Sequence, residues 1–290
     1  MKGGWGGSSG GAVFGKGMNV PIRFRRLGVR LARACPLGAV LAGVIAGCRS
    51  GPSHEDTAKA MVQQADEWYR VNDFNKAGKL YTDALALDPD LPEAALGLGN
   101  VRRVQCEMEL EHYIGGDVKK GIDVYQVQKL YGEAVKFFTR ADEGRSDYRD
   151  VYYSLGMLYF ALAKNKTLPN TPEWNASRRN WLDACREQFE RAQKLAPELG
   201  APHEYLAQVY NLIGIDLAAR GDTAAAVETL EKSKASCDAF LAWFWKQRYK
   251  DIDPKGFDDR VKAFEDLKVD LDGVIARLHP KPAPGANGGG

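Results

Sequence analysis

Residues 58–91 read AKAMVQQADEWYRVNDFNKAGKLYTDALALDPDL, and the placement of small and aromatic side chains in this stretch decides the fold. Ala65, Ala77 and Ala84 are small positions at which two helices can approach closely, and Trp68 and Tyr81 fill the space around them. Asp73 sits at the turn between the two helices and Phe74 follows it. Pro89 ends the second helix, because proline lacks an amide donor and its ring clashes with the preceding turn.

One such segment is weak; its recurrence is not. Small residues marking a first helix, A, fall at Ala65, Gly99, Gly156 and Ala207, and those marking the end of a second helix, B, at Ala84, Ala141, Ala192 and Ser233. From each helix B to the next helix A the step is 15 residues in all three cases, whereas the A-to-B steps are 19, 42, 36 and 26. Every excess, of 23, 17 and 7 residues, therefore lies between helices A and B of one repeat. A constant B-to-A step predicts uniform packing between repeats, with turns free to lengthen on one edge.

The 34-residue unit at 58–91 resembles the tetratricopeptide repeat (TPR), which implies an all-α, TPR-like α–α superhelix, or solenoid. The resemblance covers four repeats over residues 58–236. In the first insertion, Gly115-Gly116-Asp117 reads as a helix stop and Val118–Leu130 as a helical stretch running into helix B at Tyr131. In the second, Thr171 can cap and Pro172 can begin a lengthened helix. The third reads as longer helices meeting at Arg220-Gly221-Asp222. Three positions depart from the pattern: Arg102 at an aromatic site, Gly144-Arg145-Ser146 in place of a proline exit, and Cys185 where alanine is usual. Residues 237–278 are expected to cap the open end, with a last helix starting at Asp253-Pro254. Its apolar face is Phe257, Val261, Phe264, Leu267, Leu271, Val274 and Leu278. The Pro/Gly-rich tail 279–290 is expected to be disordered.

The 290-residue chain has a formal net charge of +2, but residues 1–47 carry seven basic side chains and no acidic one. The remainder holds 33 basic and 38 acidic residues, a mildly acidic body without the footprint that a phosphate backbone requires; no nucleic-acid partner is expected. Residues 34–47 form an uncharged, mostly apolar run after five arginines, too short for a spanning helix and suited to a secretory signal peptide over 1–47. Met18 is the expected start, since the glycine-rich residues before it precede an unusually late basic region. Ile45-Ala46-Gly47-Cys48 resembles the lipobox of bacterial lipoproteins. That resemblance implies a lipid on Cys48, cleavage before it, and a tether over 48–57. Arg49, rather than aspartate, after the cysteine favours an outer-membrane location facing the periplasm by the same resemblance.

Catalytic constellations are missing from the sequence. His54, His112, His203 and His279 are dispersed, His203-Glu204 has no second histidine four residues on, and neither a phosphate loop nor a nucleophile elbow occurs. No enzyme activity, metal or cofactor is expected. Cys106, Cys185 and Cys237 lie among apolar neighbours and read as small core residues, with one disulfide as the alternative.

The expected working surface is the concave side lined by helix A, where repeats present aligned side chains to a peptide or helix. By repeat position it comprises Val62, Asp66, Tyr69, Leu96, Asn100, Arg103, Tyr153, Met157, Phe160, Gln208 and Asn211. Val62 and Asp66 occupy the places of the lysine and asparagine that grip a C-terminal carboxylate in chaperone-binding repeats, so that clamp is missing. The alternative for this surface is that inserted segments or the C-terminal helices fill it. The sequence thus reads as a membrane-anchored scaffold lipoprotein that recruits another envelope protein or peptide during envelope assembly. Two other readings stand beside it: an accessory subunit of an envelope enzyme, such as one acting on peptidoglycan, and a structural lipoprotein that self-associates through Trp243–Tyr249.

Overall fold

The computed structural model describes residues 53–115, 123–145, 147–165, 172–247 and 254–279. The leader, the Ile45–Cys48 box, residues 116–122, Thr171, Tyr249 and the tail beyond His279 lie outside them. The described residues form helices and no strand: α1 (His54–Arg70), α2 (Phe74–Leu87), α3 (Pro92–Gly115), α4 (Val124–Gly144), α5 (Arg149–Lys164), α6 (Pro172–Leu195), α7 (Ala201–Ala219), α8 (Thr223–Lys246) and α9 (Pro254–Leu278).

Sequence-encoded caps set several helix ends. Ser53 and Asp56 make a reciprocal capping box at the start of α1. Asp73, Asp123 and Asp222 each accept from the backbone amide three residues on, and so open α2, α4 and α8. Each such cap contributes about 1 kcal/mol. Gly221, at φ +84°, makes the tight turn between α7 and α8. The third insertion is thus two longer helices joined by Arg220-Gly221-Asp222, as the spacing predicts. α6 begins at Pro172 and α9 at Pro254. The helix α8 is continuous across residues 236 and 237, so the end of the fourth repeat and the beginning of the cap share one element.

Neighbouring helices run antiparallel. In the hairpin α3–α4, a Cβ on Gly99 would meet Phe138, while nearer the connection Cys106 Sγ reaches the Val127 carbonyl. In α5–α6, Gly156 faces Phe189 and the Asn165 carbonyl accepts from Arg178. In α7–α8, Gly200 lies under Trp243 and Gly214 under Leu230. α9 packs back on α8 through Phe240–Phe264 and Phe244–Phe257.

Burial follows the register read from the sequence. The helix A markers Ala65, Gly99, Gly156 and Ala207 are all buried, as are Ala84, Ala141, Ala192 and Ser233 at the end of helix B. Three residues earlier on helix B stand Tyr81, Phe138, Phe189 and Leu230, none more than 2% exposed. Ala77, Ala134, Cys185 and Ala226, one turn earlier again, are each 0% exposed. Cys185 therefore fills an alanine site, where its thiol donates to the Gly156 carbonyl. The departure at Arg102 is accommodated by an ion pair with Glu133 across the α3–α4 hairpin (2.7 Å).

The core is not one body. One cluster joins α1 to α5, a second joins α5, α6 and α7 around Phe189 and Leu206, and a third joins α7, α8 and α9 around Phe240 and Phe264. On α9 the expected apolar face is present, with Ile275 (6% exposed) as an additional core residue beside Val274.

The close approach of helix A to an aromatic on helix B generates the first prediction. A Cβ at Gly99 would lie 2.7 Å from the Phe138 ring, which is fully buried and cannot retreat. Gly99→Ala is expected to cost about 1–3 kcal/mol by overpacking. Gly132, on the exposed face of α4 with nothing within 4 Å of its would-be Cβ, provides the control. Gly132→Ala is expected to stabilise by about 0.5–1 kcal/mol through helix propensity. Thermal unfolding followed by circular dichroism should move the two midpoints in opposite directions.

Candidate interaction site on the inner wall

The residues expected to line the groove sit on α1, α3, α5 and α7, at equivalent places in consecutive hairpins, because a constant 15-residue step separates each helix B from the next helix A. Their environments differ. Val62 (8%), Arg103 (7%) and Phe160 (8%) are buried, and Asp66, Tyr69, Leu96, Asn100, Tyr153, Met157, Gln208 and Asn211 are half-buried. Burial assigns Val62, Arg103 and Phe160 to internal packing, and leaves Leu96, Asn100, Met157, Gln208 and Asn211 as the reachable part of the wall. Asp66 is engaged, since its carboxylate accepts from the Tyr81 hydroxyl at 2.6 Å.

At the centre of the wall is a polar network. The Arg103 guanidinium donates to Glu107 at 2.5 Å and to the Tyr69 hydroxyl at 3.3 Å, and its Nε faces the Asn100 side-chain oxygen at 3.4 Å. Burial works against the Arg103 charge, and the neighbouring Glu107 carboxylate with the Tyr69 and Tyr205 hydroxyls offsets it, so the cation is held more firmly than in water. Tyr205 arrives from α7, two hairpins beyond α3. It stacks on Phe189 (centroids 4.9 Å apart) and meets Tyr153 and Phe160 edge to face. Burial, followed by the nearby Glu204 carboxylate, raises the Tyr205 hydroxyl above its ordinary value. Glu204, beside it, pairs with Arg260 of α9, and that guanidinium lies over the rings of Phe240 and Phe244.

The inner wall is thus linked across its length by its own side chains. Sequence reading located Tyr69, Asn100, Arg103, Tyr153 and Phe160, all of which meet here, but missed Tyr205, Glu107 and Arg260. Tyr205 carried a readable signal: the equivalent place in the earlier repeats holds Gln63, Gly97 and Ser154, so an aromatic there is an outlier. Arg260 had none, because it lies on a helix outside the repeats, 56 residues from its partner Glu204.

The cysteines and His203 lie apart from this network. Cys106, Cys185 and Cys237 are free and buried, and burial pushes the Cys106 and Cys237 thiols up to about 12, so they stay protonated and unreactive at neutral pH. Among the described residues no cluster of histidine, cysteine or carboxylate has the arrangement of a metal site. His203 faces Gln193 (3.3 Å), and burial lowers its basicity. No helix among the described residues is long and apolar enough to cross a membrane.

No protein-family model matches the sequence, and no curated protein matches it. Solved structures with a similar arrangement include a thermophilic TPR protein, TTC0263, of Thermus thermophilus. It shares 15% identity over 76% of this chain and 98% of that one, with a TM-score of 0.40. YrrB, described as a TPR protein with an unusual peptide-binding site, shares 20% identity over 76% of this chain and 89% of its own, at a TM-score of 0.38. The pilF protein of Pseudomonas aeruginosa shares 16% identity over 79% of this chain and 95% of its own, at 0.30. These scores are low, and the TPR-like assignment rests on the helix pairing and burial register described above.

Two outcomes are expected of this site. Arg103→Ala removes a buried guanidinium together with its bonds to Glu107 and Tyr69 and should cost about 2–3 kcal/mol, whereas Tyr69→Phe, which removes one hydroxyl, should cost about 1 kcal/mol; chemical denaturation of both variants distinguishes them. The three thiols should resist a soluble disulfide reagent in the native protein and react fully once denaturant is added, which a colorimetric thiol assay reads directly.

Proposed function

We propose that this chain is a lipid-anchored scaffold of the bacterial cell envelope that holds another envelope protein, or a peptide segment of one, against its inner wall. The single observation that carries the reading is the alignment of half-buried helix A side chains, Leu96, Asn100, Met157, Gln208 and Asn211, on consecutive hairpins whose packing is otherwise sealed. Such a row combines apolar and amide side chains repeated from hairpin to hairpin, as an extended peptide or a helix would require. The Ile45-Ala46-Gly47-Cys48 sequence supports a lipid on Cys48 and a place at the outer membrane facing the periplasm. Lipidation would contribute roughly 0.8 kcal/mol per buried CH₂, enough with several acyl chains to hold the scaffold at the bilayer. The proposed scaffold needs no cofactor and no nucleic acid.

The test is photo-crosslinking in living cells from half-buried residues of the wall. A photoreactive residue at Asn100 or at Gln208 is expected to trap one and the same envelope protein, while the same residue at Lys79, exposed on α2, should not trap it. If all three sites return the same proteins, or if neither wall site returns any, the inner-wall reading fails. Metabolic labelling with a radioactive fatty acid should mark the wild-type chain and not Cys48→Ser.

A further inference from the structure

We infer that the edge of the stack on which α1 begins lies against a lipid bilayer, and that Trp245, with Leu195, Pro197, Leu199 and Trp243, makes a second membrane contact beside the anchor. The inference rests on the lipoprotein reading of Cys48 and adds which face of the scaffold the membrane takes.

Topology supplies the first step. In an antiparallel stack the starts of α1, α3, α5 and α7 and the ends of α2, α4, α6 and α8 share one edge, and the inserted segments between α3 and α4 and between α5 and α6 share the other. Only residues 49–52 separate Cys48 from the Ser53 cap of α1. At no more than about 3.6 Å per residue, that linker holds the first helix within roughly 20 Å of the lipid. Of the two edges, the one on which α1 starts is the one that such a tether can bring to the bilayer first.

The second step is what that same edge carries at its far end. Leu195, the last residue of α6, and Trp245, near the end of α8, are each 43% exposed. Between them run Pro197, Leu199 and Trp243, which line one shallow depression with His203 and Lys246. Trp243 lies directly on the Gly200 backbone, where a Cβ would fall 2.2 Å from its ring, so the patch is held rigidly by the α6–α7 connection. Trp245 is set edge-on against Phe257 at 5.1 Å. Lys194, Lys246 and Lys255 are exposed around these residues, and Glu198 is the acidic group of the depression. Tryptophan with flanking lysine suits a lipid–water interface, where the indole sits at the headgroup level and the lysine stem reaches outward. Toward the opposite edge the exposed apolar residues are Val71, Met108, Tyr125 and Ile215, with no tryptophan among them. Two contacts on one edge, a lipid at one end and an aromatic patch at the other, would fix the orientation of the whole stack on the membrane.

The experiment uses the full mature protein purified with its lipid and reconstituted into vesicles of phosphatidylcholine and phosphatidylglycerol whose acyl chains carry bromine. Quenching of tryptophan fluorescence is expected, with most of the quenchable emission lost in Trp245→Phe and retained in Trp68→Phe, because Trp68 lies beneath Lys76 on the first hairpin. Lys246→Glu, an exposed substitution, should weaken the quenching on these anionic vesicles. Unchanged quenching in both Trp245→Phe and Lys246→Glu would overturn the inference, as would protein rather than lipid adducts from a photo-crosslinker placed at position 246 in cells. Mass spectrometry of the N-terminal peptide separates the two levels. A peptide without the diacylglyceryl mass on Cys48 defeats the lipoprotein reading itself, whereas a lipidated protein that shows no quenching defeats only the assignment of this edge.

Discussion

The structure depends on one contact repeated along the chain: a helix A residue with little or no side chain pressed against a large residue of helix B. Gly99 against Phe138, Gly156 against Phe189 and Gly214 against Leu230 leave no room for even one additional carbon. This contact sets the distance between the two helices of a hairpin, and the constant step to the next hairpin then propagates the same geometry. Insertions between helices A and B do not disturb it, because they leave the helix faces that meet unchanged.

That constraint explains what could be read from the sequence. Small and aromatic residues at fixed offsets are local in origin, so the four hairpins, the turn at Arg220-Gly221-Asp222 and the start of α9 at Pro254 were all legible, as was the accommodation of Cys185 in an alanine site. The site was legible only in outline. Repeat position predicts which helix a residue occupies, and the eleven expected residues do lie on α1, α3, α5 and α7, with Val62, Arg103 and Phe160 buried in the packing. Position does not predict how far side chains from other hairpins close over it. Tyr205 reaches toward Arg103 from two hairpins away, and Arg260 reaches Glu204 from the terminal helix. Both are contacts between elements distant in sequence, which no spacing rule encodes.

The inner wall consequently combines two kinds of surface. Arg103, Glu107, Tyr69, Tyr153 and Tyr205 satisfy one another and fix neighbouring helices, and a buried arginine in such a network constrains geometry as much as it stabilises. Around them Leu96, Asn100, Met157, Gln208 and Asn211 keep part of their surface in water. A partner laid along the wall would meet a rigid base with adaptable amide and thioether groups, an arrangement in which little ordering cost falls on the scaffold.

The division of the core into three clusters has a thermodynamic consequence. Contacts within each cluster are nearly all between sequence neighbours, so cooperativity weakens at the junctions and the stack behaves as coupled segments rather than as one melting unit. α5 and α7 are the helices that belong to two clusters at once, and the aromatic contacts of Tyr205 with Tyr153 and Phe160 join them. The strength of that junction decides whether α7–α9 can detach while the amino-terminal hairpins stay folded, and gives the molecule a built-in site of partial opening in its carboxy-terminal half.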